Sequence, residues 1–323
     1  MILTLVPFLV LCADPAAAAP PPTGGGLAVE LTAGQTFGLQ VTDDLRTTVE
    51  VRGLALETRF LLEQEREVRV AERRADGSYL LEIQLGRVQG SVQLPLAKPV
   101  AFDSRGAEPE LEGPAVGFIL AQTITDGRTI EAVLAPTGVV QSIEGYADIV
   151  RGTDLEEELG AVGIRFDDET YLKDVQRLLA ILPRRDPTTT PRWEREHEFL
   201  ILGHAIRVRP RFALVAEEGD RLEWTFTTEP AEAEGGAPDS ERRERSSEPY
   251  TLRWVADGLE IDEAAYRGAE VVSRRDGLPL ERRFSLALDM QVEDPNLAEP
   301  LPVQYREEFT VARIAAQDDG AGR

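Results

Sequence analysis

The sequence predicts a mainly β fold of the α+β class: a large, curved antiparallel sheet, or two β-rich halves, with a short helical segment packed across. Three observations carry this. Apolar and polar residues alternate with a two-residue period in segment after segment, the alternation gives way to helical spacing near residues 152–182, and turn dipeptides punctuate the alternating runs.

The first run follows residue 34. Phe37, Leu39, Val41, Leu45, Thr47, Val49 and Val51 take odd positions, with Gln40, Asp44, Arg46, Thr48, Glu50 and Arg52 between them, as a strand with one wet face requires. Asp76-Gly77 and Asp126-Gly127 suit tight turns between antiparallel neighbours, so strands are expected throughout 34–150. Tyr79, Leu81, Ile83 and Leu85 form the apolar face after the first turn. Ile130, Val133 and Val139-Val140 follow the second, with Pro136-Thr137-Gly138 as another turn.

The period changes near 152. Thr153 followed by Glu156 matches a capping box, and Leu155, Leu159 and Val162 face one way before Gly160 and Gly163 weaken the helix. Asp167 and Asp168 then precede Tyr171, Leu172, Val175, Leu178, Leu179 and Leu182. That spacing draws one apolar stripe up to Pro183 and predicts a helix over 168–182.

Alternation resumes beyond Pro191. Ile206, Val208, Phe212 and Leu214 read as one strand, and Leu222, Trp224 and Phe226 follow the Gly219-Asp220 turn. Residues 229–249 are too polar to bury and read as a mobile loop. Tyr250, Leu252 and Trp254 restart the sheet, Val271-Val272 lie beyond Asp257-Gly258, and the last strands are expected at 280–292 and 303–313. The implied organisation is a leader (1–19), a flexible linker (20–33), a first β-rich half (34–150), a helical segment (151–185), a second β-rich half (190–315) and a tail (316–323).

The apolar run at residues 2–12 ahead of Ala16–Ala19 reads as a secretory signal with a small-residue cleavage site, so the expected location is secreted or periplasmic. Leu9-Val10-Leu11-Cys12 admits a second reading, a lipoprotein signal with Cys12 acylated and the protein lipid-anchored. Cys12 is the sole cysteine, so no disulfide is expected in the mature chain. No later apolar run approaches the ~20 residues that a transmembrane helix needs. The net charge of −23, from 58 acidic and 35 basic residues, argues against nucleic acid as a partner. It says nothing against an apolar cavity.

Catalytic signatures are absent: there is no Gly-x-Ser-x-Gly elbow, no phosphate loop ahead of a lysine, no His-Glu-x-x-His and no cysteine pair. No cofactor and no enzymatic activity are expected. His197-Glu198 with His204 could suggest a metal, but an odd separation along one strand sends the two rings to opposite faces, so no metal is expected there. Glu156-Glu157-Glu158 and Asp167-Asp168-Glu169 could bind calcium, yet acidic residues in a helix's first turn are explained by its dipole. Asp103-Ser104 reads as a turn. What remains is the stripe of the 168–182 helix. Leu172, Val175 and Leu179 either pack on the sheet or roof a ligand cavity beneath the helix.

Asp76-Gly77-Ser78-Tyr79, Phe102-Asp103-Ser104 and Leu134-Ala135-Pro136-Thr137-Gly138-Val139-Val140 with Ile143-Glu144-Gly145 occur in that order. This series resembles a family of secreted or lipid-anchored bacterial proteins of unknown function, which carry a dG-y turn, an fDS segment and an l-x-p-x-G-x-V-x-x-v-x-G segment, then helices and a second β-rich half. The resemblance covers about 34–315. Where that family commonly carries Gly-Asp-x-Trp, this chain has Gly219-Asp220-Arg221-Leu222-Glu223-Trp224. The resemblance implies a fold similar to the periplasmic lipoprotein carriers, a curved antiparallel sheet with helices across its open face, and with it a binding module for a lipid or another hydrophobic small molecule. The alternative is a structural or interaction domain with a packed core, meeting another envelope protein.

Overall fold

The computed structural model describes residues 11–12, 27–106, 115–161, 166–179, 182–183, 191–195, 197–201, 204–228, 259–292 and 299–314. Strand β1 is Leu11–Cys12; β2 (Thr36–Val51), β3 (Leu54–Arg73), β4 (Tyr79–Gln93) and β5 (Val100–Asp103) follow. Helix α1 (Ala115–Thr123) precedes β6 (Thr129–Leu134) and β7 (Val140–Glu144), then α2 (Asp154–Ala161) and α3 (Asp168–Leu178). The second half holds β8 (Arg192–Glu194), β9 (His197–Ile201), β10 (His204–Val208), β11 (Arg211–Glu218), β12 (Arg221–Thr227), β13 (Leu259–Ser273), β14 (Pro279–Val292) and β15 (Leu301–Ile314).

Both halves build one open antiparallel sheet of twelve strands in the order β7-β6-β4-β3-β2-β15-β14-β13-β12-β11-β8, with β5 sharing the outer edge of β4. The seam between the halves is long: β2 and β15 pair from Val49 opposite Val303 to Gly38 opposite Ile314. A small second sheet has the order β1-β9-β10.

The predicted alternation is what buries. Phe37, Leu39, Val41, Leu45 and Val49 of β2 point inward with Leu81, Ile83 and Leu85 of β4, and Phe284, Leu286, Leu288 and Met290 of β14 do the same. Intervening residues face solvent, as β15 illustrates by alternating buried and exposed positions almost throughout. A ladder of rings crosses six neighbouring strands on the inner face: Trp193, Phe212, Phe226, Tyr266, Phe284 and Phe309, with successive centroids 4.9–5.5 Å apart. Gly268 makes room for it, because a Cβ there would lie 2.5 Å from the Phe226 ring and 2.3 Å from the Arg283 carbonyl oxygen.

Five expectations are corrected. Residues 115–123 form α1 rather than strand; their run Ala-Val-Gly-Phe-Ile-Leu-Ala is apolar throughout, so it carries no period to read. Asp126-Gly127 consequently joins a helix to a strand, with Gly127 at φ 79°. The strand read through Ile206 and Leu214 is two strands in different sheets, parted at Pro210, which has no N–H to continue a ladder. Helix α3 ends at Leu178, short of the expected 182. At the start of α2 the capping box is displaced: Thr153 Oγ1 donates to the Val150 carbonyl, and the Glu156 carboxylate accepts from Gly152 N–H. The expected mobile loop at 229–249, Tyr250, Leu252 and Trp254, the Asp257-Gly258 turn and the tail lie outside the described residues. So does the leader apart from Leu11–Cys12, and so does the linker up to residue 26.

Candidate functional site beneath the third helix

Helix α3 lies across the strands on the inner face, and polar contacts fix its placement. Gln176 accepts from Val140 N–H at 2.6 Å and donates to the Gly138 carbonyl at 3.0 Å, tying the helix to the β6–β7 turn. Asp174 pairs with Arg66 of β3 at 3.1 Å. Arg177 pairs with Glu307 of β15 and stands 4.0 Å from Asp43 of β2. Arg282 of β14 donates to the Arg177 carbonyl and pairs at 2.5 Å with Glu270 of β13, which accepts from Trp224 Nε1 of β12 at 3.2 Å.

These charges are deeply buried: Arg66 and Arg177 are 5% exposed, Glu307 1% and Glu270 0%. Such pairs recover little more than their desolvation cost, so their main effect is to specify where the helix sits. Arg177 also lies over the Phe309 ring at 4.3 Å and the Phe284 ring at 5.3 Å, which joins the ionic layer to the aromatic ladder.

Between α1, α3 and the sheet is a cavity of about 40 Å3 whose lining is amphipathic. Val41, Leu62, Leu85, Val88 and Phe309 supply apolar walls, and Asp43, Arg66, Tyr146, Tyr171, Asp174 and Arg177 supply polar ones. Two of the polar atoms, Asp43 Oδ1 and Arg66 Nη1, are shut off from solvent and make no hydrogen bond to the protein. The volume suits one or two water molecules.

Burial pushes the Asp43 carboxyl well above the usual carboxylate range, and the nearby Glu307 charge adds to this more than Arg177 takes away. The shift favours the protonated form of Asp43, in which the carboxyl can donate. Burial likewise raises the phenols of Tyr146, Tyr171 and Tyr305. Tyr305 donates to Glu307 at 3.0 Å, and Tyr146 stacks on Tyr171 with centroids 3.8 Å apart. The cluster is equipped to hydrogen-bond a small polar group at the end of an apolar one.

The three stripe residues sit on this side of the helix to different degrees. Val175 and Leu179 are fully buried in the core, Leu172 is half-buried against it, and none of the three lines the 40 Å3 cavity. His197 opens β9 and His204 opens β10, at opposite ends of a hairpin in which Val208 faces His197 and Ile201 faces His204. Among the described residues no group of three or more His, Cys, Asp or Glu is placed to hold a metal. Cys12 is in β1, its backbone opposite Phe199. Asp103-Ser104 begins a turn: Asp103 is bound by Arg87, and Ser104 Oγ donates to Asp126 at 2.6 Å. Asp154, Glu156 and Glu157 lie in the first turn of α2, and Asp168 and Glu169 in that of α3.

The buried charges were not anticipated, although a signal existed. Asp43, Arg66, Arg282 and Glu307 each occupy the inward parity of an alternating strand, where an apolar residue is the rule.

No family model matches the chain, and no curated protein matches its sequence. Among solved structures the chain is similar to one titled "Lipid-protein interactions in lipovitellin", at 9% identity and a TM-score of 0.46, over 91% of this chain and 26% of that one. The chain thus spans about a quarter of the length of that protein. The translocator domain of the autotransporter NalP from Neisseria meningitidis matches at 8% identity and a TM-score of 0.16, over 88% of this chain and 90% of that one. OccK3 (OpdO) of Pseudomonas aeruginosa matches at 9% identity and a TM-score of 0.17, over 87% of this chain and 96% of that one.

Proposed function

We propose that the protein is a non-enzymatic binding module of the bacterial envelope, secreted or periplasmic, that holds an amphiphile beneath α3. The ligand class is an apolar chain ending in a small hydrogen-bonding head, such as a fatty acid. The observation that carries this reading is the pair of buried atoms without protein partners, Asp43 Oδ1 and Arg66 Nη1, set among Val41, Leu62, Leu85, Val88 and Phe309. Buried polar atoms ordinarily find partners, and a carboxyl head would supply both a donor-acceptor for Asp43 and an acceptor for Arg66. Ligand pockets run to roughly 300 Å3 and above, so an acyl chain enters only as α3 moves outward. Alongside its buried apolar stripe, α3 is seated by polar contacts that can be exchanged for contacts to a ligand head.

The cavity of about 40 Å3 favours a second reading, in which the interior is filled and the module meets another envelope protein through its surface. Native mass spectrometry of the mature domain, purified without detergent from its own envelope fraction and extracted with organic solvent, separates the two. A reproducible added mass that extracts as lipid is expected, as is displacement of a fluorescent fatty acid that weakens in Arg66→Gln. A clean apo mass together with no fatty-acid binding would favour the second reading.

A further inference from the structure

A larger concavity than the one beneath α3 lies elsewhere, at the rim where β3 ends and β4, β14 and β2 begin. It is a cleft of about 730 Å3 between the segment 30–35, the β13–β14 turn and the end of β15, and its lining includes Arg73, Arg275 and Arg313 against two acids, Glu30 and Asp276. That local balance is positive in a molecule whose overall charge is −23.

Arg59, Arg69, Arg87, Arg105 and Arg306 each meet a carboxylate, while Arg52, Arg128 and Arg221 are exposed with no ion pair among the described residues, so what marks this cleft is that two such arginines line one concavity. Arg73 and Arg275 are exposed and have no ion-pair partner among the described residues. Of the two acids, Glu30 is exposed and Asp276 is already engaged. Asp276 accepts from Arg313 at 2.8 Å and Gln35 at 3.3 Å on one oxygen and from Leu278 N–H at 3.1 Å on the other. Arg73 is held over the Tyr79 ring at 5.7 Å, an arrangement that leaves its N–H edge available.

The walls are pinned. Glu30 N–H donates to the Asp276 carbonyl at 3.1 Å, Tyr79 Oη donates to the Val29 carbonyl at 3.1 Å, and Ser273 Oγ accepts from Arg275 N–H at 3.2 Å. Gly277, at φ 71°, presses so closely on the 27–31 segment that a Cβ would lie 2.5 Å from the Ala28 carbonyl oxygen. Two guanidinium forks without ion-pair partners, lining one cleft whose walls are held by these contacts, offer the donors that a tetrahedral dianion takes.

We infer that this cleft is a binding site for a phosphate monoester, with Arg73 and Arg275 as its principal donors. The site is independent of the amphiphile crevice, and either can fail without the other. The phosphate can belong to a soluble ester or to a lipid headgroup, and the test distinguishes them. Isothermal titration of the full chain with glycerol 3-phosphate and inorganic phosphate is run beside flotation with phosphatidylcholine vesicles with and without phosphatidic acid.

Binding to the soluble ester identifies the first source, and flotation only with phosphatidic acid identifies the second. In either case Arg73→Gln and Arg275→Gln each weaken binding about tenfold, the scale of one hydrogen bond to a charged group. Arg73→Lys keeps the charge, loses the fork and gives a smaller loss; Arg105→Gln, beyond the Asp103 end of the β4–β5 pairing and paired with Asp126, changes nothing. Fatty-acid displacement stays as in the wild type. Failure of both phosphate sources to bind, or binding undiminished in Arg73→Gln and Arg275→Gln while their melting curves match the wild type, would overturn the assignment.

Discussion

Asp43 interrupts an apolar row: Val41 and Leu45 flank it on the same face of β2, yet its half-buried carboxyl, with Oδ1 shut off from solvent, lies near the charges of Glu307, Asp174 and Arg177. Its folded-state affinity for a proton exceeds that of the unfolded chain, so the native state holds more protons than the unfolded state above about pH 4. Its stabilising contribution is therefore complete below that value and is lost as pH rises through the folded pKa. Asp43→Asn is expected to flatten this decline and to be more stable than the wild type at alkaline pH, as urea titrations across pH would show. Asp44, one residue on, behaves oppositely. Burial opposes its charge, but hydrogen bonds from Arg59 and Arg46 outweigh burial and hold it at about 2, so its contribution is lost as pH falls from about 4 toward 2. Glu307→Gln removes the carboxylate that pairs with the buried Arg177 and should cost up to about 3–5 kcal/mol, much of it recovered when Arg177→Met is added. Gly268→Ala should cost about 1–3 kcal/mol by forcing β13 away from the Arg283 carbonyl.

At the scale of elements, α3 joins an apolar stripe to a polar latch. Leu179→Ala should cost about 2–5 kcal/mol in chemical denaturation, whereas Leu172→Ala, only half-buried, should cost about 1 kcal/mol. Equal losses would mean that the stripe does not face the sheet as described. The stripe was legible because Tyr171, Val175 and Leu178 fall on one helical face, with Leu179 buried just beyond the helix end, and the strands because buried and exposed residues alternate along them. Helix α1 was illegible for the opposite reason, since an unbroken apolar run has no period. The latch itself hid in the alternation. Glu307 stands between Tyr305 and Phe309 at the inward spacing, and pattern reading passes over a lone charge in an otherwise regular row. Which arginine meets which carboxylate depends on separations such as the 130 residues between Arg177 and Glu307, which no local pattern encodes.

For the whole molecule, the pairing of β2 with β15 makes the two β-rich halves one sheet. All three tryptophans, Trp193, Trp224 and Trp254, belong to the second half, so their fluorescence reports on that half while far-UV circular dichroism reports on both. The two signals should give coincident unfolding transitions; separate midpoints would show that the seam does not couple the halves.

That seam also bears on the order of synthesis. Of the described strands, β15 leaves the ribosome last, yet its place is in the middle of the sheet, between β2 and β14. Until it inserts, both neighbours present long unpaired edges, and the earlier strand must wait while more than two hundred residues are made, at roughly 5–20 residues per second. Completion of the sheet is thus a late event contingent on the final segment, and a nascent chain stalled before residue 301 would be left as two half-sheets with edges open to aggregation or to a chaperone.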